Sequence, residues 1–143
     1  MKRFTVMVVT LLIAASGHIA AQADAVTLQA RLILGTSKEQ KDKMEASGGI
    51  KRKLARVFKW KHYYELNSKQ MNIADTVTKS VKLSRAAQVK VTNMKNGRLS
   101  VSLFSKGKML VQKTQNMKPG SHMVLAGNTG AEEAWFIVLS NSK

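Results

Sequence analysis

The sequence predicts an all-β domain: an antiparallel sandwich or barrel of about eight strands, with one short amphipathic helix inserted after the first strand. Three observations carry that expectation. Apolar residues recur at every second position in several separate runs, the period of a half-buried strand. Turn-forming residues punctuate those runs at spacings of roughly ten residues. Only Ile50 to Phe58 has clear helical spacing.

Val26 to Leu34 alternates, with Val26, Leu28, Ala30, Leu32 and Leu34 on one side and Thr27, Gln29 and Arg31 on the other, so it is expected to be a strand ended by Gly35. The polar stretch 35–53 is expected to be an inserted loop or short helix. Ser37 with Gln40 could form a capping box, and Gly48 or Gly49 would then stop the helix. Ile50, Leu54, Val57 and Phe58 fall on one helical stripe, with Arg52, Lys53, Arg56 and Lys59 opposite. From Trp60 the period returns to two. Trp60, His62, Tyr64 and Leu66 alternate with Lys61, Tyr63 and Glu65, Asn67-Ser68 marks a turn, and Gln70 to Ile73 pairs back weakly.

Val77 to Leu83 is expected as the next strand, followed by one carrying Ala87, Val89 and Val91 inward. Asn96-Gly97 between two alternating runs predicts a tight hairpin, because both turn positions require positive φ. Leu99, Val101 and Leu103 alternate after it, Lys106-Gly107 makes a second hairpin, and Met109 to Thr114 follows. Pro119-Gly120 turns the chain into the short run Met123 to Ala126, and Asn128-Thr129-Gly130 turns it again. Ala134 to Leu139 is apolar on both faces, as expected of a central strand covered on both sides.

The N-terminus indicates destination. Met1-Lys2-Arg3 is a positive head, Phe4 to Ala15 is apolar, and Ala21-Gln22-Ala23 presents small residues for cleavage. Residues 1–23 are expected to be a secretory signal peptide, cut between Ala23 and Asp24, and the product periplasmic or secreted. The apolar run of 12 residues is short against the roughly 20 that span a bilayer. No later segment is long and apolar enough to do so, and 24–143 is expected to be one mainly-β domain. The chain contains no cysteine, which excludes disulfides, thiol nucleophiles, cysteine metal sites and an acylated N-terminal cysteine.

Little in residues 24–143 suggests catalysis. The histidines are His62 and His122, beside eight carboxylates. His62 and Glu65 are three apart, so on a strand they face opposite ways. Glu132-Glu133 are adjacent in a turn. No nucleophile elbow, phosphate-binding glycine loop or metal-ligand spacing occurs. The expectation is a non-enzymatic protein without cofactor, metal or catalytic residues.

Charge is the stronger signal. Without Lys2 and Arg3, 22 basic residues face 8 acidic ones, a net charge of +14. Such a chain attracts polyanions by long-range, salt-sensitive forces. The densest segment holds Lys51, Arg52, Lys53, Arg56, Lys59 and Lys61, interleaved with aromatics that include Trp60 and Tyr63. Cations can hold phosphates while exposed rings stack or settle in a headgroup layer; equally, the rings can be core and the lysines a solvated coat. For an exported chain the expected partner is an envelope polyanion, such as lipopolysaccharide or an acidic polymer. The alternatives are another exported protein docked at a sheet edge or loop face, and, as a weaker third, nucleic acid.

Overall fold

The computed structural model describes residues 25–142, with the side chains of residues 128 and 129 outside that description. The expected signal peptide and its cleavage point lie outside the described residues. The chain forms an all-β sandwich: strands β1 (Val26–Thr36), β2 (His62–Ile73), β3 (Thr78–Lys82), β4 (Ala87–Asn93), β5 (Arg98–Ser105), β6 (Lys108–Asn116), β7 (His122–Thr129) and β8 (Glu133–Asn141), with helix α1 (Gly48–Ala55) between β1 and β2. Sheet A has the order β2-β1-β8-β7 and sheet B the order β3-β4-β5-β6. Every named pairing is antiparallel.

Alternation decides which side chains fill the space between the sheets. Leu28, Ala30, Leu32, Met123, Leu125, Ile137 and Leu139 from sheet A meet Val89, Val91, Leu99, Val101 and Leu103 from sheet B. Burying each branched aliphatic side chain contributes about 1.5–3 kcal/mol. The same alternation sends Ile33, Tyr63, Ala134, Phe136 and Val138 to the opposite face of sheet A, where Ala46, Ile50 and Leu54 cover them. Sheet A is therefore buried on two sides at this end, and four successive β8 residues, Phe136 to Leu139, are buried. The expected central, doubly covered strand is β8, flanked by β1 and β7.

Four local expectations are corrected. Gly35 does not end the first strand but lies inside β1. A Cβ there would sit 2.6 Å from Trp60 Cδ1, so the missing side chain makes room for the indole rather than for a turn. Gly48 and Gly49 do not stop a helix; they open α1, whose N-cap is Ser47. Because α1 ends at Ala55, Val57 leaves the apolar stripe and is 73% exposed. Asn67-Ser68 is not a turn. β2 runs straight through it, with an irregular register opposite Leu32 and Ile33 that takes up one extra residue. Asn67 serves that site by donating from Nδ2 to the Leu83 carbonyl at 2.9 Å, while its Oδ1 accepts from the Ser68 N–H at 2.8 Å.

The hairpins follow the expected chemistry. Lys95, Asn96 and Gly97 have φ of 71°, 55° and 76°, and Lys106 and Gly107 have 49° and 82°. The final turn comes slightly later than expected, since Thr129 still pairs with Ala134.

Gly127 gives a direct stability test. It lies where the β7–β8 register shifts, beneath the Trp135 ring, and an added Cβ would overlap that ring. Gly127→Ala should destabilise the domain by about 1–3 kcal/mol through overpacking, measured by urea unfolding followed with circular dichroism. Adding Trp135→Leu should return part of the loss, as expected for two residues in contact.

Candidate functional site

The basic segment starts at the apolar seat of α1. Ser47 caps the helix, its hydroxyl accepting from the Ile50 N–H at 3.5 Å. Ile50 and Leu54 are buried against sheet A. Their positions turn Arg52 and Lys53 outward, and Arg56, Lys59 and Lys61 continue the exposed array along the connection to β2; Lys51 is half-buried. Among the described residues the ion pairs are Arg31–Glu65 at 3.0 Å and Lys38–Glu132 at 2.9 Å, and none of these six cations enters either.

The aromatic residues of the segment do something else. Tyr63 is 2% exposed and its hydroxyl donates to the Phe58 carbonyl at 3.2 Å. Burial pushes its phenol above the usual tyrosine value. Tyr64 is equally buried, and its hydroxyl accepts from the Gln40 N–H at 2.8 Å. Phe58 packs on Phe136 with centroids 4.4 Å apart. Trp60 is half-buried over Gly35. Tyr63 thus has no open ring face for a ligand, and it belongs to the apolar layer beneath α1. The cations remain a surface, with Trp60 a partly exposed ring beside them.

Sheet B adds a second basic field that local inspection of the sequence missed. From residue 76 to residue 131 there is no aspartate or glutamate, against ten lysines and arginines. That interval contains all of β3 to β7. The pairings place Lys82 beside Gln88, Lys90 between Ser80 and Ser102, and Arg98 beside Asn116, all on the face turned away from sheet A. Thr78, Lys90, Thr92, Ser100, Ser102, Phe104 and Gln112 line a shallow hollow of about 270 Å³ there. A count of acids along the chain would have revealed this field; attention to aromatics among the lysines hid it.

A third feature joins distant parts of the chain. α1 covers only part of the outer face of sheet A. Beyond it, Arg31 of β1 donates from Nε to Glu65 and from Nη1 to the Ser140 hydroxyl at 3.4 Å. His122 of β7 is the cross-strand partner of Ser140 in β8. Lys53 reaches down from α1 to His122, its ammonium donating to Nδ1 at 2.9 Å. Burial pushes the His122 imidazole below the usual histidine range, and the charges of Lys53 and Arg31 push the same way; a backbone hydrogen bond at Gly120 opposes them.

The other histidine, His62, stacks on Tyr64 with centroids 6.0 Å apart. Among the described residues no group of three His, Asp or Glu side chains could hold a metal ion, and no helix is long and apolar enough to cross a membrane. Comparisons with protein-family models, with curated proteins and with solved structures find no match to this chain.

His122 makes the electrostatics testable. Its folded ring holds a proton less tightly than the unfolded ring. Its contribution to stability is therefore present above the ordinary histidine value and is lost as pH falls through the lower folded value. Imidazole NMR should place the His122 titration below the ordinary histidine value, and Lys53→Met should move it upward toward that value. A midpoint unaffected by Lys53→Met would contradict the pairing.

Proposed function

We propose that the protein is a non-enzymatic, exported binding protein of the bacterial envelope, and that its ligands are anionic polymers such as lipopolysaccharide or acidic wall and surface polymers. The observation that carries this reading is the run of 56 residues, 76–131, with ten cations and no carboxylate. A polyanion laid along sheet B meets no fixed negative charge from that sheet, and the cations do not have to leave local partners to bind it. Hydroxyl and amide side chains between the cations suit a hydroxyl-rich polymer. Arg52, Arg56, Lys59 and Lys61, which enter no ion pair among the described residues, extend the same field on the far side of the sandwich.

The non-enzymatic part of the reading is supported by the surroundings of the histidines. His122 faces Lys53 and His62 faces Tyr64, and among the described residues neither enters an ion pair with a carboxylate that could orient it as a general base.

A second reading, docking of an exported protein along a sheet edge, draws on β6. This edge strand exposes Met109 and Leu110. It also carries Lys108 and Lys113, and edge lysines oppose strand addition. The charge distribution favours the polymer.

The test is binding of purified lipopolysaccharide and of an acidic polysaccharide by residues 24–143, followed by isothermal calorimetry at rising salt. Binding at 0.05 M salt should be abolished at about 1 M, where the Debye length falls to roughly 3 Å. Replacing Lys82, Lys90 and Arg98 together by Gln should weaken binding at least about threefold, given about 0.2–1 kcal/mol per exposed charge. Replacing Arg52, Arg56 and Lys59 together should act similarly. Unchanged affinity in both triple variants would remove the proposal. A co-purifying exported protein retained at high salt would favour docking at the sheet edge.

A further inference from the structure

The uncovered part of sheet A's outer face forms a hollow of about 320 Å³. Arg31, His122 and Ser140 come from three adjacent strands, and Ser47, Gly49 and Lys53 come from α1 and its cap. The volume lies at the lower end of the roughly 300–1,000 Å³ typical of small-molecule sites. It exceeds what a lone tetrahedral anion needs, leaving space for part of the group that carries one.

The donors converge from different directions. Arg31 engages Glu65 through Nε and Ser140 through Nη1, and a guanidinium has five N–H donors in all. The Lys53 ammonium has three donors, of which His122 Nδ1 accepts one. The Ser140 hydroxyl adds a neutral partner whose hydrogen can rotate, and the imidazole, with Nδ1 accepting from Lys53, carries its proton on Nε2. Among the described residues no carboxylate lines the hollow. Glu65, behind Arg31, offsets part of one positive charge and anchors its guanidinium. The hollow is therefore cationic, with a held guanidinium, an ammonium and a hydroxyl spread around a volume. That arrangement matches a tetrahedral oxyanion carrying about −1.5 to −2 charges at neutral pH better than a planar carboxylate.

We propose that this hollow is a binding site for a phosphate monoester group, held by Arg31, Lys53, His122 and Ser140. The site goes beyond the polymer-binding reading and does not depend on it. It is one bounded pocket on sheet A, whereas the polymer would lie across extended surfaces. The phosphate could be carried by a soluble small molecule or by an envelope lipid, and the pocket chemistry is the same for both.

The experiment is an NMR titration of residues 24–143 at constant ionic strength, using inorganic phosphate, glycerol 3-phosphate and acetate as separate probes. Phosphate should give saturable shifts confined to the amides of residues 31, 47–53, 122 and 140 and to the His122 ring. The His122 midpoint should rise, because a bound anion opposes the Lys53 and Arg31 charges and stabilises the imidazolium. Lys53→Met should weaken phosphate binding about tenfold or more, the value of a hydrogen bond to a charged group. Lys69→Met, an exposed lysine of β2 outside the hollow, should leave it unchanged. His122→Asn, which keeps a polar side chain on the strand, should also weaken it.

Phosphatidylcholine vesicles containing phosphatidic acid identify the source. Competition with inorganic phosphate indicates a lipid monoester; its absence, with tighter binding of glycerol 3-phosphate, indicates a soluble ester. Either result retains the site. Non-saturable shifts spread over the lysines, equal losses in Lys53→Met and Lys69→Met, or acetate binding as tightly as phosphate would overturn it. Loss of polymer binding with intact phosphate binding would remove the proposed function and leave this pocket standing.

Discussion

The contact of Ile50 and Leu54 with the outer face of sheet A is the constraint on which the rest of the molecule depends. Ile33, Tyr63, Phe136 and Val138 would otherwise form an open apolar patch on a two-layer sandwich. Burying Ile50 and Leu54 contributes about 1.5–3 kcal/mol each, and their seat protects a face whose exposure would favour association. An eight-residue helix is too short to persist alone in water. Helix and sheet face are therefore mutually necessary: α1 exists because the sheet is apolar there, and β8 can be apolar on both sides because α1 is there.

That seat also sets the chemistry around it. It directs Arg52 and Lys53 away from the apolar layer, and it ends where the floor of sheet A becomes polar at Arg31, His122 and Ser140. At this boundary a lysine meets a histidine and an arginine, and among the described residues no acid lines the space between them. Sheet B is built differently. It has one apolar face, against sheet A, and its other face carries hydroxyls, amides and cations without a carboxylate. One sheet thus provides a bounded cationic hollow and the other an extended cationic surface.

The eight strands were legible because their signals are local. Alternation places Leu99, Val101 and Leu103 inward whatever the topology, and Asn96-Gly97 carries its own backbone preference. The misplaced features depend on distant partners. Gly35 resembles a strand terminator until Trp60, 25 positions later, is seen to occupy the space over it. Asn67-Ser68 resembles a turn until β1 pairs on both sides of it. The cations of α1 were visible as a helical face, yet their aromatic neighbours could be assigned to core or ligand only once Phe136 and Gly35 were in place. The hollow was illegible for the same reason: Lys53 and His122 are 69 positions apart, and Arg31 and Ser140 are 109 apart.

Native-state hydrogen exchange on Leu54→Ala, compared with the parent protein, tests the central claim most directly. The truncation should cost about 2–5 kcal/mol of local packing. The account predicts that α1 amides lose protection, that the His122 ring returns toward ordinary titration as Lys53 is released, and that amides of β4 and β5 keep their protection. Retained protection in α1, with His122 unchanged, would contradict the view that this contact organises the site. Uniform loss of protection across both sheets would also contradict it, because the seat would then be inseparable from the sandwich as a whole.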